Sequence, residues 1–215
     1  MYCDSFFLLG DQRLSPNADS VPTAWNKTAT EQLRNGWGTV FFPRRDGWPE
    51  AFTIRGEVPP ALLRAFCGRQ AFIYFLEAWA QIISCFFFEQ MLTSLHIAFC
   101  DNEASKHALI KAYGADMAIN SVIALYWALH ASKSKSPWME RVSSKANLSD
   151  AISRDDFTEA RARNWVHLDN LSEVYTVILQ CCEDVAFAHE HATAKLCSLL
   201  NPQLHRALSA LGLHF

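Results

Sequence analysis

Asp101 stands at the end of an apolar run, Leu95-His96-Ile97-Ala98-Phe99-Cys100, and Asn102 follows it. At the end of a buried strand the backbone polar groups are already paired, so a carboxylate placed there ordinarily has a cation beside it. Further along, Asp150 lies in Asn147-Leu148-Ser149-Asp150, a turn that leads from a second apolar strand into a helix. Two carboxylates converging from strand ends point to a metal site. Oxygen ligands of this kind select hard divalent ions such as Mg²⁺ or Mn²⁺. A pair of such ions can activate a water and stabilise the leaving oxygen of a phosphodiester. Taken singly, the residues have plainer roles. An Asp after a strand is a turn former, and Asn147 and Asp150 are good helix caps.

The elements that would carry these side chains can be read from periodicity and punctuation. Met1 to Leu9 is an aromatic-rich strand, and residues 11–34, with Ser15-Pro16-Asn17 and Val21-Pro22, form a loop excursion. Gly36–Pro43 is a strand, and the turn Arg44-Arg45-Asp46-Gly47 leads to another at Ala51–Arg55, which together make an antiparallel meander. Pro59-Pro60 opens a helical stretch at Ala61–Cys67. Ala71–Leu92 is a strongly apolar helix, within which Glu77 and Gln81 fall one turn apart and form a polar stripe facing a site. After the strand Ser94–Cys100 come a helix from Glu103 to Tyr113 that stops at Gly114 and another from Asp116 to Ala131. A short strand at Trp138–Val142 and a helix from Asn147–Asp150 to about Arg163 complete the set. Such an order packs as an α/β fold, a mixed sheet with helices on its faces. Beyond Asn164, Leu168, Leu171, Val174, Tyr175, Ile178, Cys182 and Val185 step at three and four, so residues 164–215 are expected to be a helical C-terminal extension.

Val142-x-Ser144-x-x-Asn147-x-x-Asp150-x-x-Ser153-Arg154, preceded by a strand ending Asp101-Asn102, resembles the last two stations of a ribonuclease H domain. The likeness is greatest to those of retroelement reverse-transcriptase polyproteins, and it extends over residues 1–163. That family carries metal-binding carboxylates in the order Asp, Glu, Asp, Asp. Met1-Tyr2-Cys3-Asp4-Ser5-Phe6-Phe7 is similar to its first strand, Asn35–Phe42 to its glycine-containing second strand, and the segment around Glu77 to its first helix. The resemblance implies a ribonuclease H-like fold with Asp4, Glu77, Asp101 and Asp150 as catalytic and metal-binding residues. Asp4, Glu77 and Asp101 would share one site and Asp150 would complete a second, for two Mg²⁺ or Mn²⁺ ions. It implies a hydrolase that cuts the RNA strand of an RNA–DNA hybrid, with Asn102, Lys145 and Arg154 as weaker nucleic-acid contacts. A reverse-transcriptase domain, or a helix docked on the C-terminal extension, is a further expected partner. The competing expectation is a remnant that keeps the fold and only binds nucleic acid or protein.

Composition sets the outer limits. At 215 residues and half apolar, the chain can bury the core of one domain with an appendage. A net charge of −3 provides no global basic field, so a nucleic-acid grip must be local, near Lys133, Lys135, Arg141, Lys145 and Arg154. Seven cysteines without a Cys-x-x-Cys spacing argue against a disulfide framework or a zinc ribbon. Cys181, Cys182, His189 and His191 match no closed zinc spacing either. Free thiols suit a reducing compartment, and Met1-Tyr2-Cys3-Asp4 has no basic leader region, so a cytoplasmic or nuclear location is expected. Ala71–Leu92 competes as a membrane span, but Glu77, Gln81 and Glu89 make it a core helix and no membrane partner is expected. Trp37, Trp48, Trp127 and Trp138 could stack bases, but core packing is expected for most of them.

Overall fold

The computed structural model describes residues 1–9, 12–13, 33–58, 72–114, 117–168, and 208, 209 and 212. Among the described residues, seven strands form one mixed sheet. They are β1 (Tyr2–Leu9), β2 (Gln12–Arg13), β3 (Leu33–Phe41), β4 (Phe52–Gly56), β5 (Leu95–Cys100), β6 (Ser136–Arg141) and β7 (Val166–His167). The order across the sheet is β6-β5-β1-β3-β4-β7, with β2 paired to β1 off that path. β3 runs antiparallel to both β1 and β4, as the glycine and proline punctuation predicts. β5 is parallel to both β1 and β6, and β7 is parallel to β4. The helices are α1 (Phe72–Phe87), α2 (Glu103–Lys111), α3 (Met117–Ser132), α4 (Ser149–Ser153) and α5 (Thr158–Ala162).

Alternation along β3 divides the molecule into two layers. Trp37, Thr39 and Phe41 face one way and join the main core, built on α1 and including Phe52, Trp79, Phe86 and Phe88. Removing each buried phenylalanine from water contributes on the order of 2–3 kcal/mol. Val40 faces the other way, into a smaller cluster with Ala51, Ile152, Ala160 and Trp165. Gly36 and Gly38 lie on that second face, where α4 passes very close. A Cβ at Gly38 would stand 2.8 Å from the Ser153 Cα and 2.9 Å from the Ile152 carbonyl carbon. Only a residue without a side chain admits the α4 backbone there.

On the first face, α1 is apolar with a polar stripe laid along the sheet. Glu77 reaches the Ser5 backbone, Gln81 donates to the Phe99 carbonyl at 2.6 Å, and the Ser84 and Thr39 hydroxyls bond to one another. No helix among the described residues is long and apolar enough to cross a membrane.

Three local expectations change. The helix read from Asn147 to Arg163 is two short helices, interrupted at Asp155, whose φ of 69° lies in the left-handed region that Asp tolerates better than most residues. Asp156 then accepts from the Thr158 N–H at 2.9 Å and starts the second helix. α2 ends at Ala112 (φ 62°) rather than Gly114. Gly114 is small for a packing reason, since a Cβ there would meet the Tyr74 hydroxyl and lie 2.8 Å from the Ile119 Cγ2. Finally, the sheet continues past residue 163, because β7 pairs with β4 and the Leu168 N–H donates to the Thr53 carbonyl at 2.9 Å. The helix at Ala61–Cys67, most of the loop at 11–34 and the helical steps beyond Leu168 lie outside the described residues.

Candidate metal centre

Parallel pairing sets the first part of the site. β1 and β5 share one registered pair, Tyr2 with Phe99, whose rings stack with centroids 4.4 Å apart. Asp4 and Asp101 each follow two residues later on their strands, and a two-residue step returns a side chain to the same face. Glu77 enters from α1. One oxygen of each of these three carboxylates lies within 4.8 Å of the others, a grouping that can hold a metal ion.

Each acid is held in its own way. Asp4 is 2% exposed; its Oδ2 accepts from the Ser153 hydroxyl at 2.7 Å and its Oδ1 from the Asn147 amide at 3.3 Å. Asn147 also donates to the Cys3 carbonyl at 3.2 Å, and its own oxygen accepts from the Ser149 hydroxyl at 2.7 Å. Glu77 is 4% exposed, and its Oε1 accepts from the Ser5 N–H at 3.4 Å. Its Oε2 is buried and has no hydrogen-bond partner among the described residues. A buried carboxylate oxygen left unpaired carries a desolvation penalty of about 1–3 kcal/mol or more, which a cation would remove. Asp101 is half-buried.

Protons register the crowding. Burial first, and then the Asp101 carboxylate, push the Asp4 pKa up to about 7, while the Ser153 hydrogen bond opposes the rise. Glu77 goes well above its ordinary value for the same reasons, burial before the charges of Asp4 and Asp101. Acids perturbed in this way hold protons near neutrality unless a divalent ion replaces them.

Asp150 stands apart from the other three. It is near enough to raise the Asp4 pKa, but its carboxylate is gripped by Arg154, with the guanidinium Nη2 at 2.7 Å from Oδ1 and Nε at 3.2 Å from both oxygens. It does not cap α4, whose N-cap is Leu148 without a side-chain bond. Arg154 also lies 5.5 Å over the Phe6 ring, so its charge is already engaged within the fold. Asn102 uses its side-chain oxygen to cap α2, accepting from the Ser105 N–H at 3.0 Å, and Lys145 is exposed. Of the tryptophans considered for base stacking, Trp37 is fully buried, Trp127 donates to the Leu109 carbonyl at 2.8 Å, and Trp138, 61% exposed, is not a core residue.

Sequence reasoning missed the two residues that orient Asp4. Asn147 was expected only to cap, and Ser153 had no role beyond its place in the motif. The available signal was Gly36-x-Gly38. Asp4 is the registered partner of Gly38, and the close approach at Gly38 brings Ser153 onto Asp4. No family model matches the chain, and neither a curated protein nor a solved structure matches it.

Proposed function

We propose that the chain is a divalent-metal-dependent nuclease of the ribonuclease H type, retroelement-derived, that cleaves the RNA strand of RNA–DNA hybrids. The observation that carries it is the meeting of Asp4, Glu77 and Asp101 around an unpaired, buried Glu77 oxygen. Supporting it is the order of elements from β1 to α4, three main strands, a helix, a strand, two helices, a strand and a helix, which is the order the motif resemblance implies.

The residues fit Mg²⁺ or Mn²⁺. All three ligand groups are hard oxygen donors, and the raised pKa values of Asp4 and Glu77 mark a site that favours a cation in place of protons. When bound, the ions supply the activation of a water and neutralise charge on the phosphoryl oxygens. The chain supplies position. Asn147 and Ser153 fix both oxygens of Asp4, the Ser5 N–H fixes one oxygen of Glu77, and the β5 terminus delivers Asp101. Asp150, the fourth carboxylate, would complete a second position. Its fork with Arg154 is partly exposed, 36% and 29% for the two side chains, and such pairs are worth at most about 1 kcal/mol. That is small beside the attraction of a divalent ion, so Arg154 can give Asp150 up.

The same fork favours a second reading, in which the fold persists as a nucleic-acid or protein binding module and Arg154 has neutralised the fourth carboxylate. Cleavage of a labelled RNA–DNA hybrid in Mg²⁺ and in Mn²⁺ separates the two, with wild type beside Asp101→Asn. Metal-dependent cutting of the RNA strand that Asp101→Asn abolishes is the expected result. Well-folded wild-type protein that cuts with neither metal would favour the binding module instead.

A further inference from the structure

Twelve or so ångströms along α1 from Glu77, counting eight residues at the helical rise, Cys85 meets two histidines. His96 comes from the start of β5 and His130 from the last turns of α3. Cys85, His96 and His130 are 0%, 9% and 1% exposed, and one ligand atom of each lies within 4.8 Å of the others.

The imidazoles face one another through Nε2, 3.5 Å apart, with ring planes 25° from parallel. His130 Nδ1 lies 2.8 Å from the Tyr126 carbonyl, which can only accept, so Nδ1 carries the proton and Nε2 presents a lone pair. If His96 donates from Nε2 to that lone pair, its own Nδ1 is bare. That atom is buried without a hydrogen bond of good geometry among the described residues, although the Thr93 backbone is near enough to raise the His96 pKa. If His96 instead carries its proton on Nδ1, two bare nitrogens confront each other. Either neutral tautomer leaves a buried lone pair unmet. Protonation is no remedy, because it would place a charge among three side chains no more than 9% exposed. The nearby Lys135 adds positive charge and is itself held by Glu89 and the Leu92 carbonyl.

A metal removes the conflict. A tetrahedral ion with metal–nitrogen bonds of about 2.0–2.1 Å separates two imidazole nitrogens by roughly 3.3–3.4 Å, close to what is seen. The His130 Nδ1 hydrogen bond to a backbone carbonyl is the outer-shell contact that orients a ligating imidazole. We propose that Cys85, His96 and His130 form a second metal site, for a borderline-soft transition ion of the Zn²⁺ class. Binding replaces the Cys85 thiol proton, which leaves to solvent, with a sulfur–metal bond. Among the described residues no fourth Cys, His, Asp or Glu joins the group, so a fourth position is left. The two sites differ in ligand chemistry, nitrogen and sulfur here against carboxylate oxygens, and so select different ions. Because α1 and β5 carry members of both, the ion would staple the elements that deliver Glu77 and Asp101.

The test uses the full chain, stripped with chelator and titrated with Co²⁺. The expected result is one Co²⁺ per chain showing tetrahedral visible bands and a near-ultraviolet sulfur-to-cobalt charge-transfer band, displaced by Zn²⁺. The band should vanish in Cys85→Ala and persist in Asp101→Asn. Since Cys85→Ala can fail to fold, alkylation of the unmutated chain in urea sufficient to open the buried thiols to reagent, mapped by mass spectrometry, provides an independent reading. Zn²⁺ should protect Cys85, whereas Mg²⁺ should not. Absence of the charge-transfer band, its survival in folded Cys85→Ala, or Zn²⁺ protection confined to other cysteines would each overturn the proposal.

Discussion

Asp4 and Glu77 tie stability to pH in a direction opposite to that of a salt-bridged carboxylate. With a folded pKa raised to about 7 against 3.8 unfolded, Asp4 contributes stability that is full below the unfolded value and is lost as pH rises through about 7. Metal-free protein should therefore lose stability between about pH 4 and pH 7, by a few kcal/mol in order of magnitude. Thermal melts in chelator should show a falling Tm across that window. Mn²⁺ should restore it above pH 7, and Asp4→Asn should flatten the slope and abolish the Mn²⁺ effect. Ser153→Ala removes the hydrogen bond that opposes the rise in the Asp4 pKa. The midpoint for Mn²⁺ binding should consequently move to higher pH in that variant, as read by calorimetric titration across pH. Asp101 and Glu77 were legible at this scale, because an acid at a strand end or within an apolar helix is conspicuous. The Asp150–Arg154 pair was also available, since residues four apart on a helix are neighbours. The Cys85 group was not legible. Its members are scattered over two helices and a strand, and only the packing of α1 and α3 on β5 brings them together.

Between elements, the close approach of α4 to β3 is what converts a strand aspartate into an oriented ligand. Gly38→Ala should push Ser153 away from Asp4, at a cost of about 1–3 kcal/mol typical of overpacking, and weaken Mn²⁺ binding more than Ser153→Ala does. Equal Mn²⁺ affinities for the two variants would show that the α4 approach has no positioning role beyond that one hydrogen bond. Strands and long helices could be read from periodicity because their burial is one-sided and regular. The break after α4 could not, since it turns on a left-handed Asp155, whose carboxylate lies 3.3 Å from Arg55, a residue far earlier in the sequence. β7 was hidden for a similar reason, being two residues long and defined only by its partner β4.

Across the molecule, a single sheet presents two buried groups of metal-ligating side chains. Carboxylates gather beyond the Tyr2–Phe99 pair, and a cysteine and two histidines gather at the opposite end of β5. The α/β architecture was foreseeable from the alternation of strand and helix patterns. The convergence of Asp4 with Asp101 was not, because it rests on a nonlocal parallel register. Crystals soaked in Mn²⁺ and measured for anomalous scattering examine that convergence most directly. The expected result is a Mn²⁺ peak within bonding distance of Asp4, Glu77 and Asp101, with Glu77 Oε2 among its ligands. A fully occupied Mn²⁺ elsewhere on the chain, with Glu77 Oε2 still unpaired, would contradict it.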